Sequence, residues 1–230
     1  MEIKIYNKDC INGMKDLPDN YVDLVVTDPP YEFIIKNPNG GGFMKKENKK
    51  HIQELNKSFG MEYNPDIFLN ECKRIMKKFN MYIFTNKNLL HTYIKFAIDN
   101  NYKYDILIWL KSNPVPTFNG HYLPDKEYIV FIKESGATFN SKLGYKNYFT
   151  YFNKPIGKRE FEHPTVKDLN FIKRCIKISS NENDIVLDGY LGSGTTAVAC
   201  RDLKRNCIGY EINNDYINII NERLKQKPIE

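Results

Sequence analysis

The sequence predicts an α/β protein whose strands form one doubly wound, mostly parallel sheet. Short apolar runs alternate along the chain with longer segments in which apolar residues recur at helical spacing, and this alternation is typical of such sheets. The run "VDLVVTD" is nearly continuously apolar, as in a strand covered on both faces. The 230 residues suffice for one sizeable core, and no repeat or clear linker divides them. We therefore expect residues 1–230 to form a single domain.

Residues 1–133 are predicted to contain five strands and two helices. The first residues alternate apolar and polar side chains, which indicates a short strand in "IKIYNKDC". The other strands are predicted at "VDLVVTD", "MYIFT", "YDILIWLK" and "KEYIVFIK". One helix is predicted at "NPDIFLNECKRIMKKF", where Asn64 and Pro65 suit a cap and a first turn. The other is predicted at "NLLHTYIKFAIDNNY", which ends in paired asparagines.

The last third of the chain is predicted to alternate helices with two strands. In "VKDLNFIKRCIKISS" the apolar residues Leu169, Ile172, Cys175 and Ile176 fall on one helical face. The predicted elements that follow are a strand at "DIVLD", a turn and helix at "GSGTTAVACRDLK", a strand at "NCIGYEI" and a helix at "NDYINIINERLKQK".

Two segments lack any periodic pattern. Residues 32–62 contain "NPNGGG" and "KKENKK", which predict a mobile basic loop. Residues 134–162 are rich in Gly, Asn, Lys and Tyr and show no apolar stripe that could face a core. We expect both segments to be insertions in the domain.

Composition narrows the class of protein. The net charge of +6 is compatible with a polyanionic partner without requiring one. The five cysteines form no Cys-x-x-Cys pair, which predicts reduced, mostly buried thiols of a cytoplasmic protein. The four histidines have no ligand spacing, so no metal site is expected. No apolar signal segment opens the sequence and no run of about 18 apolar residues occurs, so no membrane association is expected.

A glycine-bearing turn follows the strand in "IVLDGYLGSGTTAVA". Glycines at such a turn let the backbone approach a nucleotide at a helix N-terminus, and Glu211 follows about 20 residues on, where an acid binds ribose hydroxyls. Gly192 and Gly194 depart from the Gly-x-Gly-x-x-Gly spacing because Ala197 takes the last position. Asp188 would repel a pyrophosphate and attract an ammonium, which favours S-adenosylmethionine over a nicotinamide cofactor. An ordinary strand-to-helix turn stays the alternative.

A second corner, "DPPY", consists of Asp28, Pro29, Pro30 and Tyr31. Each proline has a fixed φ and favours extended geometry in the residue before it, so the corner is stiff. Prolines also donate no backbone N–H, which leaves carbonyl acceptors beside the carboxylate. A carboxylate, rigid carbonyls and an aromatic ring together suit a planar ligand that carries an amino group.

With "DPPY", the motifs "HPTVK", "DGYLGSGTT" and "IGYE" make the sequence resemble the DNA amino-methyltransferases. That family transfers a methyl group from S-adenosyl-L-methionine to adenine N6 or cytosine N4. The resemblance covers most of the chain, and "DPPY" precedes the glycine turn, which is the order of the family's β group. It implies a Rossmann-like S-adenosylmethionine-dependent methyltransferase fold with inserted loops that contact DNA.

The resemblance implies a catalytic role for "DPPY". Asp28 and the Pro29 carbonyl would hold the target amino group, next to the rigid Pro30, and Tyr31 would stack on a base that has left the duplex. Unstacking costs a few kcal/mol, and orientation and electrostatics account for the rate. Asp28 matches the adenine type, whereas many cytosine-type members have Ser there. The sequence therefore favours adenine N6, with cytosine N4 as the alternative.

The resemblance also implies a set of cofactor-binding residues. Asp188 with the two glycines of the turn would bind the methionine end, Glu211 the ribose, and residues 163–165 would close over the methionine carboxylate. Asp9 and Cys10 would lie beside the cofactor's adenine, unless they form a plain strand-end turn. The full set comprises Asp9, Cys10, Asp28, His163, Pro164, Thr165, Asp188, Gly189, Tyr190, Gly192, Gly194, Thr195 and Glu211.

Two positions depart from the family pattern. Gly189 and Asp168 stand where the family usually has proline, and both changes could weaken cofactor binding. They motivate one alternative function, a catalytically impaired homologue that binds DNA. A nicotinamide-dependent oxidoreductase is a further alternative, but it has no use for "DPPY".

Double-stranded DNA is the expected partner. Lysines suit phosphates, and residues 134–162 lie where the β group keeps its target-recognition region. That region is short, which predicts a short recognition site or help from a second subunit. A homodimer and a cognate restriction nuclease are further partners that the resemblance leaves open. The predicted DNA-binding residues are Lys45, Lys46, Lys49, Lys50, Lys111, Asn113, Lys158 and Arg159.

Overall fold

A computed structural model describes residues 1–30, 63–114, 122–155 and 167–226. In these residues the strands are β1 (Ile3–Tyr6), β2 (Leu24–Thr27), β3 (Asn80–Thr85), β4 (Lys103–Lys111), β5 (Lys126–Lys133), β6 (Tyr151–Lys154), β7 (Ile185–Asp188) and β8 (Asn206–Tyr210). They form one sheet in the order β1-β8-β7-β2-β3-β5-β4-β6. Only β5 runs antiparallel to its neighbours within this sheet, which confirms the predicted mostly parallel arrangement.

Four of the six described helices begin after an Asp or Asn whose side chain caps the helix. The described helices are α1 (Cys10–Met14), α2 (Pro65–Ile75), α3 (Leu90–Asp99), α4 (Leu169–Ser179), α5 (Thr195–Asp202) and α6 (Asn214–Lys225). The Asn64 side chain accepts hydrogen bonds from the first backbone amides of α2, and Pro65 occupies the first turn, as predicted. Asn213 caps α6 in the same way.

Hydrophobic cores lie on both faces of the sheet, as a doubly wound fold requires. On one face Val25 packs with Phe68 of α2 and Tyr93 of α3. On the other, Val26 packs with residues of α4 and α5 such as Ile176. Strands β2 and β3 are therefore buried along their whole length, and each large apolar side chain buried there contributes roughly 1.5–3 kcal/mol.

Strand β6 is an element that the sequence pattern did not predict. It lies within residues 134–162 and pairs in parallel with β4, so the interpretation of that segment as patternless throughout was wrong. Phe152 explains the strand's position, because its ring stacks on Trp109 at 5.5 Å and on Phe171 at 4.1 Å between centroids. A four-residue edge strand with one large inward side chain is too short to show alternation.

The predicted state of the cysteines is confirmed. All five are free thiols, and all five are buried. None of the helices in the described parts of the chain has the length and apolar character that crossing a membrane requires.

Candidate active site

Four acidic residues follow neighbouring strands at one edge of the sheet. Asp9 follows β1, Glu211 follows β8, Asp188 ends β7 and Asp28 follows β2. These four strands are parallel and adjacent, so their carboxyl ends, where open α/β sheets bind ligands, meet at this edge. With about 4.8 Å between strands, the row extends over about 14 Å. The fold thus brings together the two corners that the sequence singled out.

Asp28 has one paired and one unpaired carboxylate oxygen. Its Oδ2 lies 2.9 Å from the Lys167 ammonium, whereas its Oδ1 is buried without a hydrogen-bond partner among the described residues. Burial raises the pKa of Asp28 above its ordinary value; Lys167 opposes this shift and Glu127 adds to it. A buried acceptor without a donor costs roughly 1–3 kcal/mol, so Oδ1 favours a ligand that brings an N–H group.

The prolines after Asp28 form a close-packed corner. Pro29 is buried and Pro30 is half-buried. Neither has an N–H to donate, so neither can satisfy the free oxygen of Asp28. Tyr31 lies outside the described residues, and its stacking on the target base stays a prediction.

Asp188 is a buried carboxylate braced by its neighbours. Its Oδ1 accepts hydrogen bonds from Thr27 Oγ1 at 2.8 Å and from the Tyr190 backbone amide at 3.1 Å. Burial raises the pKa of Asp188 to about 6, because the hydrogen bonds only partly offset the loss of water. A cationic ligand would restore the ionised form, so this position fits the ammonium of an amino acid.

Glu211 braces the glycine turn from the next strand. One carboxylate oxygen accepts the Gly192 amide at 2.8 Å, and the other accepts the Asn213 amide at 2.8 Å. Burial raises the pKa of Glu211 in spite of these donors. A carboxylate has about four acceptor positions, so these donors leave acceptor capacity for a ribose hydroxyl. The residues present therefore fit a ligand with an ammonium at one end and a ribose at the other.

Two residues of the turn have structural roles. Gly194 has a φ of +84°, and a Cβ there would lie 2.8 Å from Ile220, so glycine lets α5 pack against α6. Thr195 Oγ1 lies 3.3 Å from Arg223, a buried arginine whose guanidinium also donates to the Ser193 carbonyl at 2.6 Å. Direct contacts of Gly194 and Thr195 with the cofactor stay predictions.

The aromatic surroundings explain the departure at Gly189. A Cβ at this position would lie 3.0 Å from the Phe68 ring and 3.5 Å from the Cys10 Cβ. Tyr190 packs against Phe68 at 5.6 Å between ring centroids and meets Tyr63 edge-on at 5.8 Å. Phe68 thus leaves little room for a larger residue, and aromatic packing stiffens the corner that proline stiffens elsewhere in the family.

The second departure, Asp168, starts a helix. Its carboxylate caps α4 by accepting the Phe171 amide at 2.8 Å, and it pairs with Lys154 at 2.7 Å. Aspartate is therefore a favourable residue at this helix start, where it typically contributes about 1 kcal/mol.

Asp9 and Cys10 form the start of α1. The Asp9 carboxylate accepts the Asn12 amide at 2.9 Å and so caps the helix. Cys10 is buried, and burial raises the pKa of its thiol to about 12 although Tyr190 hydrogen-bonds to it. This geometry favours the structural alternative for both residues, and a contact with the cofactor's adenine stays a prediction.

Sequence reasoning missed the charged neighbours of Asp28. Lys167 Nζ contacts both Asp28 and Glu127 Oε1, and Glu127 Oε2 lies 3.1 Å from Lys111 Nζ. Burial alone would raise the pKa of Glu127, but the two lysines outweigh it and lower that pKa. Lys167 ends the motif "HPTVK" and Glu127 is the second residue of a predicted strand, yet neither pattern identifies a partner.

The predicted DNA-binding residues are only partly described. Lys111 pairs with Glu127, with a fifth of its side chain (21%) exposed, and Asn113 is exposed in the loop after β4. Both lie at the same edge of the sheet as Asp28, and their DNA contacts stay predictions. The site residues that lie outside the described part of the chain are Tyr31, Lys45, Lys46, Lys49, Lys50, Lys158, Arg159, His163, Pro164 and Thr165.

The chain is similar in sequence to known DNA-modifying enzymes. The sequence profile of a family described as DNA methylase (N6_N4_Mtase) matches residues 22–222. The type II methyltransferase M2.MboI of Moraxella bovis is 28% identical over 247 residues, which cover 96% of this chain and 87% of that protein. The type II methyltransferase M.HinfI of Haemophilus influenzae is 30% identical over 252 residues, which cover 96% and 68%.

Solved structures have the same fold. The crystal structure of the M1.HpyAVI–SAM complex superposes with a TM-score of 0.67 at 26% identity, covering 97% of this chain and all of that one (100%). The PvuII DNA methyltransferase, described as cytosine-N4-specific, superposes with a TM-score of 0.74 over 100% of this chain and 89% of its own. At 13% identity, the second comparison shows likeness of fold alone.

Proposed function

The chain belongs to the family of N6- and N4-type DNA methylases, and from this premise we propose that it methylates the N6 amino group of adenine in double-stranded DNA. The cofactor is S-adenosyl-L-methionine, which is bound in the solved M1.HpyAVI–SAM complex. When bound, this cofactor supplies a methyl group on a positively charged sulfur. Asp188 and Glu211 have the charge and the free acceptor positions to bind its ammonium and its ribose hydroxyls.

The observation that carries the proposal is the buried Oδ1 of Asp28, which has no hydrogen-bond partner in the described part of the chain. An exocyclic amino group offers two N–H donors, and Oδ1 can accept one of them at the end of β2. The Pro29 carbonyl is the proposed acceptor for the other. Hydrogen bonds in these two directions hold the nitrogen so that its lone pair points away from the acceptors, which is the orientation that attack on a methyl group needs.

The proton balance of the reaction also involves Asp28. As the new N–C bond forms, the C–S bond breaks and its electron pair stays on sulfur, while the amino nitrogen becomes positively charged. That nitrogen then loses one proton. Because burial raises its pKa, Asp28 is a better proton acceptor than an exposed aspartate, and it can pass the proton to water afterwards.

Adenine is favoured over cytosine by the residue before the prolines. Asp28 matches the adenine type of the motif, whereas many cytosine-type members have Ser there.

Recognition of DNA is proposed for residues 134–162 and for the basic segment 32–62. Within the described part of the former, Tyr145 and Tyr151 are exposed, and Phe149 packs against both at 5.0 and 5.8 Å between ring centroids. Exposed aromatic rings next to lysines such as Lys146 can stack on or pack against bases while the ammonium groups bind phosphates.

Labelled methyl transfer identifies the base. The purified chain is incubated with methyl-labelled S-adenosylmethionine and unmethylated genomic DNA, and the nucleosides are then separated. We expect N6-methyladenine at one short sequence. Label in N4-methylcytosine alone would replace adenine by cytosine in the proposal, and DNA binding without label in any nucleoside would identify a catalytically impaired homologue.

A further inference from the structure

Four charged side chains of alternating sign line the edge of the sheet beside the proposed target site. They are Asp28, Lys167, Glu127 and Lys111, and we call them the charge chain. Each has only a small exposed fraction, from 9% of the Glu127 side chain to 25% of that of Asp28. Charges this far removed from water are costly unless they pair.

The charge chain connects four separate parts of the fold. Asp28 follows β2, Lys167 precedes α4, Glu127 lies in β5 and Lys111 ends β4. Since β3 separates β2 from β5, the Lys167 ammonium that contacts both carboxylates lies over β3, 4.8 Å from the centroid of the Phe84 ring. The aromatic face below it contributes a cation–π attraction that helps to hold the ammonium in place.

The two carboxylates of the charge chain have different surroundings. Glu127 contacts two lysines, and its pKa is lowered in spite of burial. Among the described residues, Asp28 pairs with Lys167, through Oδ2, and its pKa is raised. Lys167 thus leaves one oxygen of Asp28 free and also stabilises its ionised form, and Glu127 competes with Asp28 for the same ammonium.

We propose that Lys167 and Glu127 are positioning residues for methyl transfer. Lys167 turns Asp28 Oδ1 toward the target amino group and keeps Asp28 ionised. Glu127 holds the Lys167 ammonium in place and weakens its attraction for the Asp28 carboxylate. This inference rests on the proposed function, because it takes Asp28 as the acceptor of the target amino group. Lys111 anchors Glu127 from the other side, at 3.1 Å.

All the charged and titratable groups that face Asp28 in the described structure enter this balance. Lys167 and Lys111 lower the pKa of Asp28, whereas burial and Glu127 raise it. On the far side lie Asp188 of β7 and Tyr93 of α3, whose pKa values are raised by burial and also by the Asp28 charge. Removal of Lys167 and removal of the Glu127 charge therefore have opposite effects on Asp28.

The pH dependence of single-turnover methyl transfer tests the proposal. In Lys167→Met, Asp28 ionises at higher pH, so the acid limb of the profile should move up by roughly one pH unit or more. In Lys167→Arg the charge is kept and the limb should return toward that of the wild type. In Glu127→Gln one negative charge is lost beside Asp28, and the limb should move to lower pH.

Lys126→Met is the matched control. Lys126 precedes Glu127, and its half-exposed side chain pairs with Asp125. Lys126→Met therefore removes a lysine charge next to Glu127 that does not contact Asp28. Its acid limb should coincide with that of the wild type. Limbs that coincide in all variants, or that move in the same direction in Lys167→Met and Glu127→Gln, would overturn the proposal. A purely structural role would lower the rate equally at every pH.

A second measurement needs no activity. In protein labelled with carbon-13 at the aspartate carboxyls, the Asp28 signal is assigned by its loss in Asp28→Asn, and its titration midpoint is measured. The midpoint should rise in Lys167→Met and fall in Glu127→Gln. Unchanged midpoints would overturn the proposal that these two residues control the ionisation of Asp28. If the wild type transfers no methyl group while the midpoints shift as stated, then the proposed function fails and the electrostatic part of this inference survives.

Discussion

The proline corner after β2 and the glycine corner after β7 are neighbours in the sheet, yet they are built differently. At the glycine corner, the acids are satisfied by nearby groups: Asp188 by Thr27 and the Tyr190 amide, and Glu211 by two backbone amides. At the proline corner, Asp28 is held by the ammonium of Lys167, and its other oxygen has no partner within the residues that the structure describes.

This difference suits the glycine corner to binding the cofactor and the proline corner to holding the group that reacts. The glycine corner is organised by its own backbone, so it can exist before a ligand arrives, which lowers the entropic cost of binding. The proline corner retains an unmet acceptor that only a donor from outside the described structure can satisfy. Interactions that are completed by the reacting group are the ones that can accelerate a reaction.

The largest expected effect comes from removing the acceptor of the proline corner. Asp28→Ala should lower the rate of methyl transfer by roughly 10²–10³, a typical effect of losing one preorganised polar contact to a reacting group. Affinity for S-adenosylmethionine should change by less than about tenfold, or 1.4 kcal/mol, because the glycine corner stays intact. Single-turnover kinetics and calorimetric titration measure the two quantities.

Asp16→Ala serves as the control for Asp28→Ala. Asp16 is an exposed aspartate that pairs with Lys8 and contacts neither corner. It should leave both the rate and the affinity unchanged. An equal loss of rate and of cofactor affinity in Asp28→Ala would contradict the separation of the two corners.

An intermediate effect is expected from pH at the glycine corner. The pKa of Asp188 is raised to about 6, and a bound ammonium favours its ionised form. Affinity for S-adenosylmethionine should therefore be full above pH 6 and fall by up to about tenfold per pH unit below it. In Asp188→Asn the affinity should be weaker and should not vary around pH 6.

Without cofactor, the free energy of unfolding should change with pH in the opposite direction to the cofactor affinity. The folded state of the free protein binds the Asp188 proton more tightly than the unfolded chain does, because in the unfolded chain Asp188 has the ordinary pKa of 3.8. The free energy of unfolding should therefore increase as the pH falls from 6 toward 3.8, after subtraction of the curve for Asp188→Asn. Chemical denaturation at several pH values measures it, and a difference curve without slope would contradict burial as the cause.

The smallest expected effect concerns the packing of Gly189. Gly189→Ala places a Cβ 3.0 Å from the Phe68 ring and should destabilise the protein by about 1–3 kcal/mol. The loss should be smaller in a Phe68→Leu background, because the two residues touch. Phe171→Leu, which changes a buried phenylalanine on the other face of the sheet, is the control background. Equal losses in all backgrounds would show that Phe68 does not limit the residue at this position.

Local patterns in the sequence predicted most of the fold. The apolar runs became β2 and β7, and Asn64 became a helix cap, because these features depend on neighbours within a few residues. Strand β6 escaped prediction because its position depends on Phe152 packing against Trp109 and Phe171, which are remote in the sequence. The two corners meet because β2 and β7 are parallel neighbours, and parallel strands bring their carboxyl ends to one edge of the sheet.

The amino-acid sequence was enough to predict a mostly parallel sheet, the order of the motifs, the family to which they belong and the acid in each corner. How those acids are held depends on tertiary contacts: which oxygen of Asp28 has no described partner, which lysine pairs with the other, and which ring crowds Gly189. The reason is physical. Periodicity and turn chemistry act between residues close in the chain, whereas desolvation, ion pairing and packing act between residues that only folding brings together.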